Sequence, residues 1–240
     1  MNLDTTQTVR EVALNVPGAT RVFEKFGIDY CCGGQKSLVE ACGDRNLNLE
    51  QVVESLGTAA ASPRSRQGDN PLESGTLADL IRHIKNTHHK YTREEISRLG
   101  PLFDKVSNVH GRKHPELLEM RHDFWVLAHE LTMHMKKEEM VLFPYIERME
   151  EAVTAREPIL PAPFGSVEKP VANMIHEHEE AGKLLRNLRG LSKGFQPPEG
   201  ACVSYKTLFS ALEEFEKDLH QHIHLENNVL FPRAIEMERR

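Results

Sequence analysis

One phrase is written twice in this chain. At 134–144 and again at 222–232 it reads His-x-x-x-Glu-x-x-Val-Leu-Phe-Pro, with His134, Glu138 and Pro144 in the first copy and His222, Glu226 and Pro232 in the second. Residues four apart share one face of a helix. Both pairs also fall on an apolar stripe. In one stretch the stripe is Leu117, Met120, Phe124, Leu127, Leu131, His134, Glu138, Val141 and Tyr145; in the other it is Leu208, Leu212, Phe215, Leu219, His222, Glu226 and Val229. The spacing predicts two helices that each carry a histidine and a carboxylate on the buried face. In the Val-Leu-Phe-Pro tails, Val and Leu are expected to pack and Pro to kink or end the helix.

Two further stripes share this period: Leu77, Ile81, Ile84, His88 and Tyr91, then Val171, Met174, His178, Ala181, Leu185 and Leu188. Breaks rich in Gly and Pro separate the four, at GRKHP from 111, REPILPAPFG from 156 and GFQPPEG from 194. No alternation long enough for a strand competes. The expected fold class is all-α, with a four-helix bundle over 76–240.

A buried carboxylate without a partner is costly. Two carboxylates and four imidazoles meeting in one core require shared positive charge, which divalent metal supplies. His88 precedes His134 by 46 residues and His178 precedes His222 by 44. Each half of the bundle therefore offers one His from its first helix, then a His and a Glu from its second. The expected ligand set is His88, His134, Glu138, His178, His222 and Glu226, a dinuclear site with carboxylate bridges. Mixed imidazole and carboxylate donors suit iron or manganese, and also zinc. No cysteine lies on the stripes.

The N-terminal part differs. None of the 13 histidines precedes His83. Residues 1–56 read as a small helical unit: Thr8 and Glu11 have capping-box spacing, a short helix from Ser37 stops at Gly43, and another covers Leu49 to Leu56. Residues 57–75, rich in Ala, Ser, Gly and Pro, read as a linker. Cys31 and Cys32 are adjacent, with Cα atoms about 3.8 Å apart, which is too close for an unstrained disulfide. Reduced thiols are the default reading for them; Cys42 and Cys202 read as packing residues. With a formal charge of −6 and no dense Lys/Arg cluster, nucleic acid is not the expected partner. No apolar run approaches the roughly 20 residues that span a bilayer, and no signal peptide is visible. A cytoplasmic protein without a membrane partner is expected.

With its spaced His, His-x-x-x-Glu, His, His-x-x-x-Glu, the bundle resembles the hemerythrin-like di-iron domains. DYCCGG at 29–34 in a short helical domain before such a bundle resembles the bacterial Repair of Iron Centres family, as do EHEEAGKLL at 177–185 and HLENNVLFPRA at 224–234. The resemblance implies two non-haem irons, oxo-bridged in some states. His88, His134, His178 and His222 would be terminal ligands, and Glu138 and Glu226 bridges. It implies restoration of iron–sulfur clusters after oxidative or nitrosative stress by donation of iron, with damaged iron–sulfur proteins as partners and NO or O2 as small ligands. A nitric oxide reductase forming N2O and an O2, NO or redox sensor are the alternative readings, and a zinc hydrolase a more remote one. Cys31 and Cys32 are candidates for thiol chemistry toward a client. A homodimer stands as a further expectation. His83, His89, His129, His176, His220 and His224 fall off the stripes and are expected at the surface or rim; His110 is a candidate for an entry path.

Overall fold

The computed structural model of the chain describes residues 3–31, 33–61 and 75–239; Cys32 and most of the expected linker, 62–74, lie outside them. The described residues form eight helices and no strand beyond two isolated bridges. Four short helices come first: α1 (Val9–Asn15), α2 (Ala19–Phe26), α3 (Leu38–Gly43) and α4 (Leu49–Ala61). Thr8 starts α1 with the expected capping box, its hydroxyl accepting from Glu11 N–H while the Glu11 carboxylate accepts from Thr8 N–H. Ser37 and Glu40 repeat the device at α3. The helix at α4 runs to Ala61 rather than stopping at Leu56, because three consecutive alanines extend it at little cost in side-chain entropy. These helices close on a core of their own that includes Val9, Val12, Phe23, Tyr30, Leu38, Val52 and Leu56.

The long helices α5 (77–110), α6 (116–155), α7 (Glu168–Leu191) and α8 (203–238) form a four-helix bundle, with α5 beside α6 and α8, and α6 beside α7. Its apolar core lies in two blocks. One is built around Phe103, Phe124, Leu185 and Phe215, the other around Ile84, Phe143, Val171 and Phe231. Polar side chains fill the layer between them.

Each half of the bundle closes on itself in the same way. At the far end of α6, the Glu150 carboxylate accepts from the Leu77 and Ala78 N–H groups at the start of α5, at 2.7 and 2.9 Å. At the far end of α8, Glu238 accepts from the Val167 N–H just before α7, from Ser166 Oγ and from the Tyr145 hydroxyl. Glu150 follows Glu138 by twelve residues, and Glu238 follows Glu226 by twelve. A carboxylate at a helix N-terminus satisfies orphan N–H groups and complements the dipole.

Three of the four long helices contain one wider, π-helical turn: Lys85–His89 in α5, Glu138–Leu142 in α6 and Leu225–Leu230 in α8. In α6 the Phe143 N–H donates to the Glu138 carbonyl five residues back; in α8 the Phe231 N–H does the same to Glu226. Pro144 and Pro232 come next. Their missing N–H falls where the i→i−4 ladder is already broken, so neither ends its helix. Of the two outcomes expected at the prolines, an end to the helix is corrected: α6 continues to Ala155 and α8 to Glu238. The wide turn also advances the buried face by one residue. Val141, expected on the stripe, is 49% exposed, while Leu142 is 2% exposed.

Candidate metal centre

The layer between the two apolar blocks holds His89, His134, His178, His222, Glu138 and Glu226, all buried and both carboxylates fully so. Their ligand atoms form two groups. His89 and His222 face one another with Nε2 atoms 3.1 Å apart; His134 and His178 do so at 2.9 Å. Each carboxylate divides its oxygens between the groups. Glu138 turns Oε2 toward His89 at 3.4 Å and Oε1 toward His134 at 3.3 Å. Glu226 turns Oε1 toward His222 at 3.0 Å and Oε2 toward His178 at 3.1 Å. Both groups therefore contain two imidazoles and one oxygen from each carboxylate.

His88, the expected fourth imidazole, is not among them. Its Nδ1 lies 3.0 Å from Asp218 Oδ1, and its ring stacks on the outer side of His222. His89, expected at the rim, takes its place. The wide turn at Lys85–His89 is the reason. Counting forward from Leu77, Ile81 and Ile84 reaches His88, but one extra residue in the turn rotates His89 inward instead. A signal was present in the sequence. Counting backward from Val106, Phe103, Leu99, Ile96 and Thr92 in steps of three and four reaches His89, so the two ends of this stripe are out of register by one. His224 is also buried rather than at the rim, with Nδ1 2.7 Å from Asn228 Nδ2, and His220 is half-buried against Tyr30. His129 and His176 are exposed and His83 half-buried. His110 packs on Tyr205 at the other end of α8, about 25 Å along the helix from His222, so it lines no path to this centre. Its Nε2 is 3.2 Å from the sulfur of Cys202, which is exposed rather than packed.

An outer layer that the stripes did not reveal orients the rings. His89 Nδ1 lies 2.7 Å from Glu139, His134 Nδ1 2.9 Å from Glu177, and His178 Nδ1 2.8 Å from Asn227 Oδ1. Each acceptor places a proton on Nδ1 in the neutral ring, leaving the Nε2 lone pair aimed inward. The signal was the position of Glu139 and Asn227, each one residue after a core glutamate.

Lone pairs converging at 2.9–3.1 Å repel unless a cation lies among them. Neither Glu138 oxygen has a hydrogen-bond partner, nor has Glu226 Oε2. Burial pushes His134 down, but the Glu138 carboxylate beside it, with Glu177 and Glu226, outweighs this and holds it up at about 10. Burial likewise opposes His89, and Glu138 and Glu226 hold it up at about 9. Burial pushes both core carboxylates up, and Glu226 adds to this at Glu138; the surrounding imidazoles outweigh it and keep both below the usual carboxylate value. The donors thus demand about two positive charges, and protons or metal ions can supply them. Orphaned carboxylate oxygens and converging imidazole nitrogens fit a metal. Two nitrogens bound at about 2.1 Å and at right angles to each other lie about 3.0 Å apart.

The N-terminal helices dock beside this layer. Asn227 Nδ2 donates to the Cys31 carbonyl and Asn228 Nδ2 to the Tyr30 carbonyl, both at 3.2 Å. Cys31 is buried, with its sulfur 3.4 Å from Asp29 Oδ1. A Cβ on Gly34 would come within 2.9 Å of the Tyr30 carbonyl, so the turn after the cysteines has no space for a side chain there.

Comparison with known proteins agrees with a cation-binding bundle. Residues 79–234 match the model of the hemerythrin HHE cation binding domain, and residues 5–60 match a domain of unknown function, DUF542. The iron-sulfur cluster repair protein YtfE of Pectobacterium carotovorum is 35% identical over 97% of this chain and 98% of its own length. YtfE of Yersinia pseudotuberculosis is 34% identical over 97% and 98%, and a probable iron-sulfur cluster repair protein of Haemophilus influenzae is 34% identical over 95% and 96%. Among the described residues, no helix is long and apolar enough to cross a membrane. A cation-binding bundle behind a DUF542 unit, matched end to end by these relatives, places the chain in the family of YtfE-type iron–sulfur cluster repair proteins.

Proposed function

We propose that this chain holds two iron ions between His89, His134, His178, His222, Glu138 and Glu226, and that it restores damaged iron–sulfur clusters by giving up iron from this store. The observation that carries the reading is the division of each buried carboxylate between two imidazole pairs. A single-metal site needs no such division. Family membership supplies the client class, since the relatives are named as iron–sulfur cluster repair proteins.

The donor chemistry suits a store that must release. Thiolates would hold soft metal more tightly, and none of the six donors is one. Bound ferrous iron supplies a redox-active, exchangeable cation. The chain's own residues do the rest. Glu138 and Glu226 spread their charge over both positions, the outer acceptors hold each Nε2 inward, and Phe143 and Phe231 pack against His89 and His178 to keep water out. Metal must displace the protons that otherwise neutralise the layer.

The test is anaerobic purification, elemental analysis, and repair of an enzyme whose [4Fe–4S] cluster has been damaged by peroxide or NO. About two irons per chain, with iron and repair both lost in Glu226→Leu, are expected. Repair that survives without iron overturns the store. Catalytic N2O formation without iron loss would favour the reductase reading, and a stable O2 adduct the sensor.

A further inference from the structure

The two imidazole pairs are built alike at the centre but not behind it. His134 is backed by Glu177, which Lys137 holds in turn. His178 is backed by Asn227, which is fixed by the Cys31 carbonyl. His89 is backed by Glu139, itself bonded to Arg93. His222 has nothing. Its Nδ1 is fully buried and has no hydrogen-bond partner, and the ring instead lies flat against His88, with centroids 5.7 Å apart and an interplanar angle of 4°.

We propose that the two metal positions are inequivalent, and that the one held by His89 and His222 releases its ion first, through His88 and His83. The inference rests on the two-iron reading above and says which iron is the cargo. Outer acceptors fix the ring, set its tautomer and raise its basicity, and losing one typically costs about 10- to 100-fold in metal affinity. The position between His134 and His178 has two such acceptors; the position between His89 and His222 has one.

The same side of the bundle offers a way out. Beyond His222 stands His88, then half-buried His83 with its ring centroid 5.5 Å further on. Asp218 lies alongside, bonded to His88 through Oδ1, while its buried Oδ2 has no hydrogen-bond partner. Two imidazoles and a carboxylate in sequence are successive ligands for a departing divalent ion. Behind His178, by contrast, lie Asn227 and the docked N-terminal unit.

The experiment loads the full chain anaerobically with ferrous iron and mixes it with excess chromophoric ferrous chelator. Two release phases of equal amplitude are expected, with rates differing about 10- to 100-fold. His89→Ala should leave one iron that releases only in the slow phase, and His134→Ala one iron that releases only in the fast phase. His88→Leu should keep both irons and slow the fast phase. A single phase in the wild type overturns the proposal, and so does a reversed assignment in the single-histidine variants. Should those variants hold no iron, Asn227→Leu decides, because it keeps every ligand. Acceleration of the slow phase alone supports the inequivalence, and any other pattern overturns it. Fewer than two irons in the wild type would instead overturn the two-iron reading itself.

Discussion

His88 and His89 are neighbours with the same side chain, and only their place on the helix separates them. One points at the core carboxylates and the other at Asp218. Replacing each by Ala should therefore have unequal effects. His89→Ala is expected to lose about one of two irons, and His88→Ala to retain both, as read by anaerobic metal analysis with circular dichroism as the control for folding. Equal loss in both would mean that the wide turn does not set the ligand. Five of the six expected ligands stand in the centre because the i, i+4 pairs His134 with Glu138 and His222 with Glu226 lie at the entrance of their wide turns rather than across them. The sixth failed because a constant period was assumed across a turn that takes one extra residue. The outer acceptors were harder to read. Glu139, Glu177 and Asn227 look like ordinary surface residues in a stripe analysis, and their partners lie on other helices.

At the scale of the element, the repeated Val-Leu-Phe-Pro phrase marks the place where a helix widens. The proline removes the donor that an α-helical ladder would have needed there, and the same turn moves Leu142 into the core and Val141 out of it. The four helices themselves were legible from their stripes, since burying one face is what orders a helix of this length. The caps were not. Glu150 and Glu238 read as helix-end acids, and only the fold shows that they close onto α5 and α7. Truncating Glu150 to Ala should cost about 1–2 kcal/mol, or about 2–8 °C in Tm, measured by thermal unfolding. Metal content at low temperature should be unchanged, because the cap lies three turns from Glu138.

For the whole molecule, the notable contact is the seat of the N-terminal helices on α8. It is made by Tyr30 against the His224 ring, by Asn228 bonding both, and by Asn227 reaching Cys31. These contacts hold the Tyr30–Cys31 segment against α8. Burial, with the nearby Arg10 charge, pushes His224 down to about 4. A histidine whose folded pKa is depressed takes its proton first in the unfolded chain. Its contribution is fully present above about pH 6.5 and is lost as pH falls from there toward 4. Between pH 7 and pH 5 this group should account for about 2 kcal/mol of lost stability. Urea unfolding at the two pH values should show it, and His224→Gln should flatten the dependence. An unchanged slope in that variant would move the effect elsewhere. None of this docking was visible in the sequence, where the N-terminal unit and the bundle read as separate pieces.

Each imidazole pair draws one ring from either half of the bundle: His89 with His222, and His134 with His178. Both carboxylates are shared in the same way. Ions placed there act as cross-links between two helical hairpins, each of which closes itself through its own terminal glutamate. On the two-iron reading, filling both positions would be a folding event as much as a loading event, and handing over the first ion would loosen one of two ties while the other still held the hairpins together. A protein built in this way can discharge cargo without coming apart.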